Sequence, residues 1–505
     1  MRNAGLGSWP ERRLRISPDR IAIWFEGTAT SYATFAERVR RTASALSGLG
    51  VDAGHRVAWL SGNHPSALET LYACGQLGAI WVPVNARLTA PEAQYVLEHC
   101  GAEVVVHGRD QGVLVDALRD RLPGVRAWVA VEGDGRSLPY EELLAAADPG
   151  PRDEPVSLDD PCLIMYTSGT TGRPKGAVLT HGNMSWSCVN QILGFDFVPD
   201  ERTLALAPLF HIGGLNGTVN PTLLRGGQVV VVRSFDPAAT LETIERQRIT
   251  SFFAVPTVLD ALAREPGFAT RDLSSLRTIA AAGASVPRST LRTWLDRGVT
   301  MQQAYGMTET AATGTVLDSA DAEGRLGSAG RPQFFTDVRV IRPDGTAAAA
   351  GEVGEIVLSG PCVMPGYWNG PDRPADGWHR TGDAGTMDDD GFLTIRDRYT
   401  DMIISGGENV YPAEVESALL ELPGILQAAV IGVPDPKWGE VGLALLVAAP
   451  DADRDPMTMR ATLRRRLAGF KVPQHFRFVD ELPKTATGKI RKSELHARYR
   501  SETFG

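Results

Sequence analysis

Cysteine is scarce in this chain, with five among 505 residues: Cys74, Cys100, Cys162, Cys188 and Cys362. The number is odd, the spacing irregular and the flanks mostly apolar, so neither a disulfide framework nor a cysteine metal cluster is expected. Reduced, packed thiols of a cytoplasmic protein fit better. No run of about 18 apolar residues occurs, which excludes a membrane-spanning helix. Positive charge is in deficit, with 51 Lys and Arg against 60 Asp and Glu and a net charge of −9. Nucleic-acid binders show the opposite balance, so no nucleic-acid partner is expected. Residues 1–11 lack the apolar stretch of a signal peptide, and the last residues spell no peroxisomal address. Internal repeats and low-complexity tracts are absent as well. What remains is an ordinary soluble composition, 43% hydrophobic and 22% charged, on a chain long enough for two to four structural units.

Within that composition, helix and strand signals alternate. Ser31 precedes a helical pattern with apolar residues at Phe35, Val39, Ala43 and Leu46, which Gly48 and Gly50 stop. Strands are expected at 56–60, 80–84 and 103–107, with helices at 66–76 and 92–99 between them. The alternation resumes with a strand at 228–233, a helix at 237–248 and a strand at 251–255. This rhythm predicts α/β layers with largely parallel sheets. From about residue 352 the texture changes to short strands and Gly/Pro/Asp turns. A charged, aperiodic stretch over 396–401 marks a boundary, and the remaining 105 or so residues suffice for a small α+β domain. There a helix is expected over 412–420 and a strand over 427–433.

The most informative segment is Tyr166-Thr167-Ser168-Gly169-Thr170-Thr171-Gly172-Arg173-Pro174-Lys175-Gly176. A short apolar strand at 162–165 runs into it. Glycines let backbone N–H groups approach an anion, four hydroxyls add donors, and Lys175 adds a fixed charge, so a nucleoside triphosphate fits. The Walker loop is excluded, because Gly169 and Gly172 are three apart and Pro174 precedes the lysine. A triphosphate site also needs a metal carboxylate, a sugar grip and a cation where charge develops. Candidates stand in separate segments: Tyr305-Gly306-Met307-Thr308-Glu309, Thr381-Gly382-Asp383, Arg398, and Thr487-Gly488-Lys489.

In this order the segments resemble the adenylate-forming superfamily of acyl- and aryl-CoA synthetases, peptide-synthetase adenylation domains and beetle luciferases, from about Pro18 to Lys492. The resemblance implies a large N-terminal domain (1–397) of layered α/β subdomains with a small β-barrel-like subdomain, a hinge (398–401) and a small mobile α+β lid (402–505). It implies two half-reactions: carboxylate and ATP give acyl-AMP and pyrophosphate, then the lid rotates and a thiol attacks the activated carbonyl. Thr167, Ser168, Gly169, Thr170, Thr171, Gly172 and Lys175 would hold the terminal phosphates. Tyr305 would stack on adenine, with Gly283 and Ala284 at the adenine edge and Gly306 and Met307 beside it. Thr308 would reach the α-phosphate, Glu309 would hold Mg²⁺, and Asp383 and Arg398 would grip the ribose. Lys489 would neutralise charge growing on the α-phosphoryl oxygens.

The segment Pro208-Leu209-Phe210-His211-Ile212-Gly213-Gly214 resembles the CoA-ligase version of its motif, with His211 as a gate between acyl and nucleotide pockets. No acidic residue follows it to hold an amino group. Gly406, Gly407, Trp438 and Lys471 match positions that take coenzyme A in relatives. His211, Asn216, Ala282 and Gly306 are expected at the acyl pocket. Two departures stand out: Thr400 at the hinge, where Asp or Lys is usual, and Ala282 and Ser285 in the adenine loop. The expected activity is an acid:CoA ligase using ATP and Mg²⁺ on an apolar monocarboxylate, with medium or long fatty acids slightly ahead of aryl acids. Loading of a carrier protein or an amine is the alternative, and a catalytically silent acyl-adenylate binder is a third reading. Oligomeric state, including a homodimer, stays open.

Overall fold

The structure, a computed structural model, describes residues 2–499 apart from 134, 151, 153, 168–173, 285, 372–375, 399–400, 406–407 and 485–489, and omits the side chains of Arg398, Ile404 and Asn409. Two large sheets dominate. One has eight strands in the order Gly366–Tyr367, Lys175–Thr180, Pro161–Thr167, Ile80–Val84, Arg56–Leu60, Val104–His107, Ala127–Ala130 and Leu138–Pro139. The other has nine, in the order Arg331–Pro332, Thr315–Val316, Met301–Tyr305, Thr278–Ala281, Ser251–Ala254, Arg202–Ala205, Gln228–Val231, Ile21–Phe25 and Thr28–Ser31. The strands from Pro161–Thr167 to Leu138–Pro139 in the first sheet, and from Met301–Tyr305 to Ile21–Phe25 in the second, run parallel, as the strand–helix rhythm predicts.

Between the sheets lies one core. Trp59 and Trp81 of the first sheet, Ile23 and Val229 of the second, and Leu68, Leu71 and Tyr72 of the helix Pro65–Leu77 belong to the same buried cluster. That helix is buried from Ser66 to Leu77 without an exposed face, as expected of a helix covered on both sides. All five cysteines are free and buried, and burial pushes the Cys362 thiol up to about 12, which makes it unreactive. Among the described residues no helix is long and apolar enough to cross a membrane.

The small β-rich unit is a four-stranded antiparallel sheet, Asp337–Ile341, Gly354–Ser359, His379–Met387 and Leu393–Arg398. After it comes a separate sheet of five strands, Ile403–Ser405, Glu408–Val410, Ile425–Asp435, Gly439–Ala448 and His475–Phe478. Helices Pro412–Leu420, Pro456–Leu463 and Lys492–Tyr499 accompany it, and it carries its own buried clusters. The expected hinge residue Thr400 lies outside the described residues.

Candidate active site

Four adjacent parallel strands of the nine-stranded sheet end at one cavity of about 2360 Å³. Their register is tight: Ala254 pairs with Ala281, and Ala281 with Gln303. Each strand therefore releases its loop at the same level, the place where open α/β sheets hold ligands. Arg202–Ala205 leads to His211, Ser251–Ala254 to Val255, Thr278–Ala281 to Ala282, Gly283 and Ala284, and Met301–Tyr305 to Gly306, Met307, Thr308 and Glu309. Residues from all four loops line the cavity.

From the other sheet come Thr167 and Lys175, paired across the base of the hydroxyl- and glycine-rich loop and lining the same cavity. The loop's tip, Ser168 to Arg173, lies outside the described residues. Asp383 arrives from the strand His379–Met387. It is only 7% exposed and accepts a 2.6 Å hydrogen bond from the Tyr305 hydroxyl, so the expected aromatic and sugar-binding groups are mutually fixed. Arg398 pairs with Asp383 through the backbone ladder, and its side chain is not described. Gly306 has a packing reason to be glycine: a Cβ there would stand 2.1 Å from the Ala312 carbonyl oxygen.

Glu309 is 8% exposed and accepts a 2.8 Å hydrogen bond from Tyr367. The same ring lies 5.5 Å from the Lys175 ammonium, a cation–π distance. Tyr367 thus joins an acidic and a basic group that both line the cavity. Sequence reading missed it; the only signal was its place in the Gly-Tyr-Trp turn after Pro365. Conversion of Tyr367 to Phe keeps the ring and removes the hydrogen bond to a carboxylate. Such bonds contribute about 1.5–3 kcal/mol, so a roughly tenfold or larger drop in acyl-adenylate formation is expected in stopped-flow pyrophosphate release. Unchanged release would show that Glu309 needs no such support.

An apolar cluster borders the cavity. Phe253 belongs to a cluster with Phe195, Phe197, Ala282 and Ala304, and its ring sits over Gly213 and Gly217. A Cβ on Gly213 would come within 2.5 Å of the ring, and one on Gly217 within 3.0 Å. The backbone there forms a five-residue π-helical segment, Leu215–Val219, an irregularity frequent at functional sites.

Three expectations need correction or relocation. Asn216 does not line the cavity; it is fully buried, donates to the Ala311 carbonyl at 2.8 Å and accepts from Asn220. Its role here is to satisfy buried polar groups rather than to face a ligand. Trp438 is exposed and Lys471 is paired with Glu414 at 2.7 and 2.9 Å. Neither lines the cavity, whereas Glu414 does. Gly406, Gly407 and Lys489 lie outside the described residues. The flanks of the Lys489 segment do reach the cavity, at Lys484 and Arg491.

Known proteins resemble this chain along nearly its whole length. The model of the AMP-binding enzyme family matches residues 10–368, and that of the AMP-binding enzyme C-terminal domain matches 414–489. A feruloyl-CoA synthase from Amycolatopsis sp is 50% identical over 99% of this chain and 100% of its own. The long-chain-fatty-acid–CoA ligase FadD13 of Mycobacterium tuberculosis is 37% identical over 99% of both chains. Among solved structures, the anthranilate CoA ligase AuaEII in complex with anthranoyl-AMP superposes with a TM-score of 0.93 at 27% identity, covering 99% of this chain and 98% of that one.

Proposed function

The chain belongs to the AMP-binding enzyme family, and from that premise we propose that it is an ATP-dependent acid:CoA ligase whose acid is an aryl monocarboxylate of the hydroxycinnamate kind. The observation that carries the activity is the convergence of His211, Tyr305, Thr308, Glu309, Asp383 and Lys175 on one cavity at the carboxyl ends of parallel strands. The aryl preference rests on the Phe253 ring packed against Gly213 and Gly217 at the cavity and on the similarity to a feruloyl-CoA synthase. It replaces the slight preference for fatty acids drawn from apolar pocket segments alone.

In this reading Lys175 and the 167–172 loop bind the triphosphate, Tyr305 covers adenine beside Gly283 and Ala284, and Asp383 holds the ribose. Thr308 donates to the α-phosphate, and His211 and Gly306 border the carboxylate about to attack it. A single buried carboxylate suits Mg²⁺, which takes one or two carboxylates and completes its shell with substrate phosphates and water. Glu309 would hold it, and the ion would supply charge neutralisation at the phosphates. Lys489 adds a cation where charge develops. Residues 398–401 act as hinge for the lid 402–505, and its rotation would bring Gly406, Gly407, Trp438 and Lys471 toward the cavity for coenzyme A.

The test is pyrophosphate release with ATP and Mg²⁺ across hydroxycinnamates, benzoates and medium and long fatty acids, with and without coenzyme A. Sustained coenzyme A-dependent release, highest with hydroxycinnamates, is expected. A single burst that coenzyme A does not prolong would assign the acyl group to a carrier protein or amine instead.

A further inference from the structure

Asp397 is held in the small antiparallel sheet, where it pairs with Ala384 on the neighbouring strand. Its side chain nevertheless serves the C-terminal unit. The carboxylate accepts a 2.7 Å hydrogen bond from the backbone N–H of Ala413, in the first turn of the helix Pro412–Leu420, whose N-cap residue Tyr411 makes no side-chain capping bond to it. Asp397 therefore caps that helix from outside, where its free N–H groups and dipole favour an anion. The same carboxylate lies 3.8 Å from the Lys492 ammonium, which opens the helix Lys492–Tyr499.

Lys492 has a second partner, Glu416, at 3.0 Å, and Glu416 also accepts from the Val430 N–H at 2.7 Å. The side chains of Asp397, Lys492 and Glu416 are 8, 15 and 17% exposed, so the pairs are shielded from water. Burial works against the lysine's charge, yet Glu416 and Asp397, with a smaller contribution from Asp401, together raise its pKa above the ordinary value. The two carboxylates differ in one respect: Glu416 belongs to the same unit as Lys492, and Asp397 does not. A rotation of the C-terminal unit breaks the Asp397 contacts and leaves Lys492 still compensated by Glu416. Leaving a shielded charge without a partner would be far more costly, so the arrangement permits movement while favouring one orientation.

That orientation is identifiable. Lys484 and Arg491 line the cavity, whereas Trp438 and Lys471 do not, and the bridge between Lys484 and Ile490 closes the base of the Lys489 segment. We propose that Lys492 is a positioning residue, whose contact with Asp397 holds the C-terminal unit in the orientation that forms acyl-adenylate. The proposal rests on the two-step ligase reading above.

The test uses the full-length protein carrying Lys492→Met, Asp397→Asn or Lys492→Arg. Met and Asn at these positions should slow single-turnover acyl-adenylate formation roughly tenfold, within the usual range of coupling between sites. Thioester formation from supplied acyl-AMP should be unchanged or faster, and Arg should restore the parent balance. Equal loss in both steps, or no loss in either, would overturn the proposal. A readout without turnover separates this from failure of the ligase reading. Dyes on Val113→Cys and Met457→Cys, positions 87 and 69% exposed on the two units, report orientation by energy transfer. Lys492→Met or Asp397→Asn should shift that signal in the ligand-free protein. An unshifted signal would overturn the positioning role even if the chain proved to ligate nothing. Asp397→Asn, close to isosteric, keeps the test decisive should Lys492→Met fold poorly.

Discussion

Replacement of Lys489 by alanine is expected to slow acyl-adenylate formation by roughly 10²–10³, the scale of losing one preorganised donor to a developing charge. The argument combines sequence with the geometry of the segment's described ends. Arg491 donates its backbone N–H to the Pro483 carbonyl at 2.8 Å, and Lys484 bridges to Ile490. The chain thus enters and leaves the 485–489 segment at a closed base, on a cavity shared with Thr308 and Glu309. A cation delivered there helps only while negative charge grows on the phosphoryl oxygens, so its contribution is to the transition state of the first step. Thioester formation from synthetic acyl-AMP should change little, because in the proposed two-step cycle the C-terminal unit has then turned. Rapid-quench measurement of both steps checks the split. An equal loss in both would mean that Lys489 acts through stability or general nucleotide binding instead.

The parts of this site legible in the sequence are those carried by short segments. The strand at 161–167 and its loop stand out because apolar residues give way abruptly to glycines and hydroxyls. Tyr305 to Glu309 and Asp383 stand out because their residue types fit a nucleotide site in a fixed order. Alternating periodicity likewise gives the parallel layers, since strands buried on both faces must be apolar throughout. Contacts between distant segments left no such mark. Tyr367 meets Glu309 from 58 residues away, and Asp397 meets Lys492 across the boundary between two units. Asn216 misled because a buried amide beside a binding motif has the same letter whether it faces a ligand or closes a polar network. That Trp438 and Lys471 do not line the cavity has another cause: it depends on how the C-terminal unit is oriented, which no local pattern encodes.

Removal of the Phe253 ring is the change expected to redirect the enzyme most. The ring lies against Gly213 and Gly217, where a Cβ would be 2.5 and 3.0 Å away, and it lines the same cavity as His211. A planar aryl acid can lie on such a ring, while a flexible chain gains less from it and needs length. Phe253→Ala should therefore lower kcat/KM for hydroxycinnamates about 10–10²-fold, consistent with the few kcal/mol of packing that a phenyl ring supplies. It should raise kcat/KM for medium-chain fatty acids by opening the space the ring fills. Gly213→Val supplies the opposite perturbation, because its side chain would crowd the ring, with a Cβ only 2.5 Å from it. It should depress turnover of both acid classes, with the longer acids losing most. Steady-state kinetics on one panel of acids reads all three outcomes together. If Phe253→Ala lowers both classes alike, the ring supports the fold of the site without selecting its acid, and aryl specificity must lie elsewhere in the cavity.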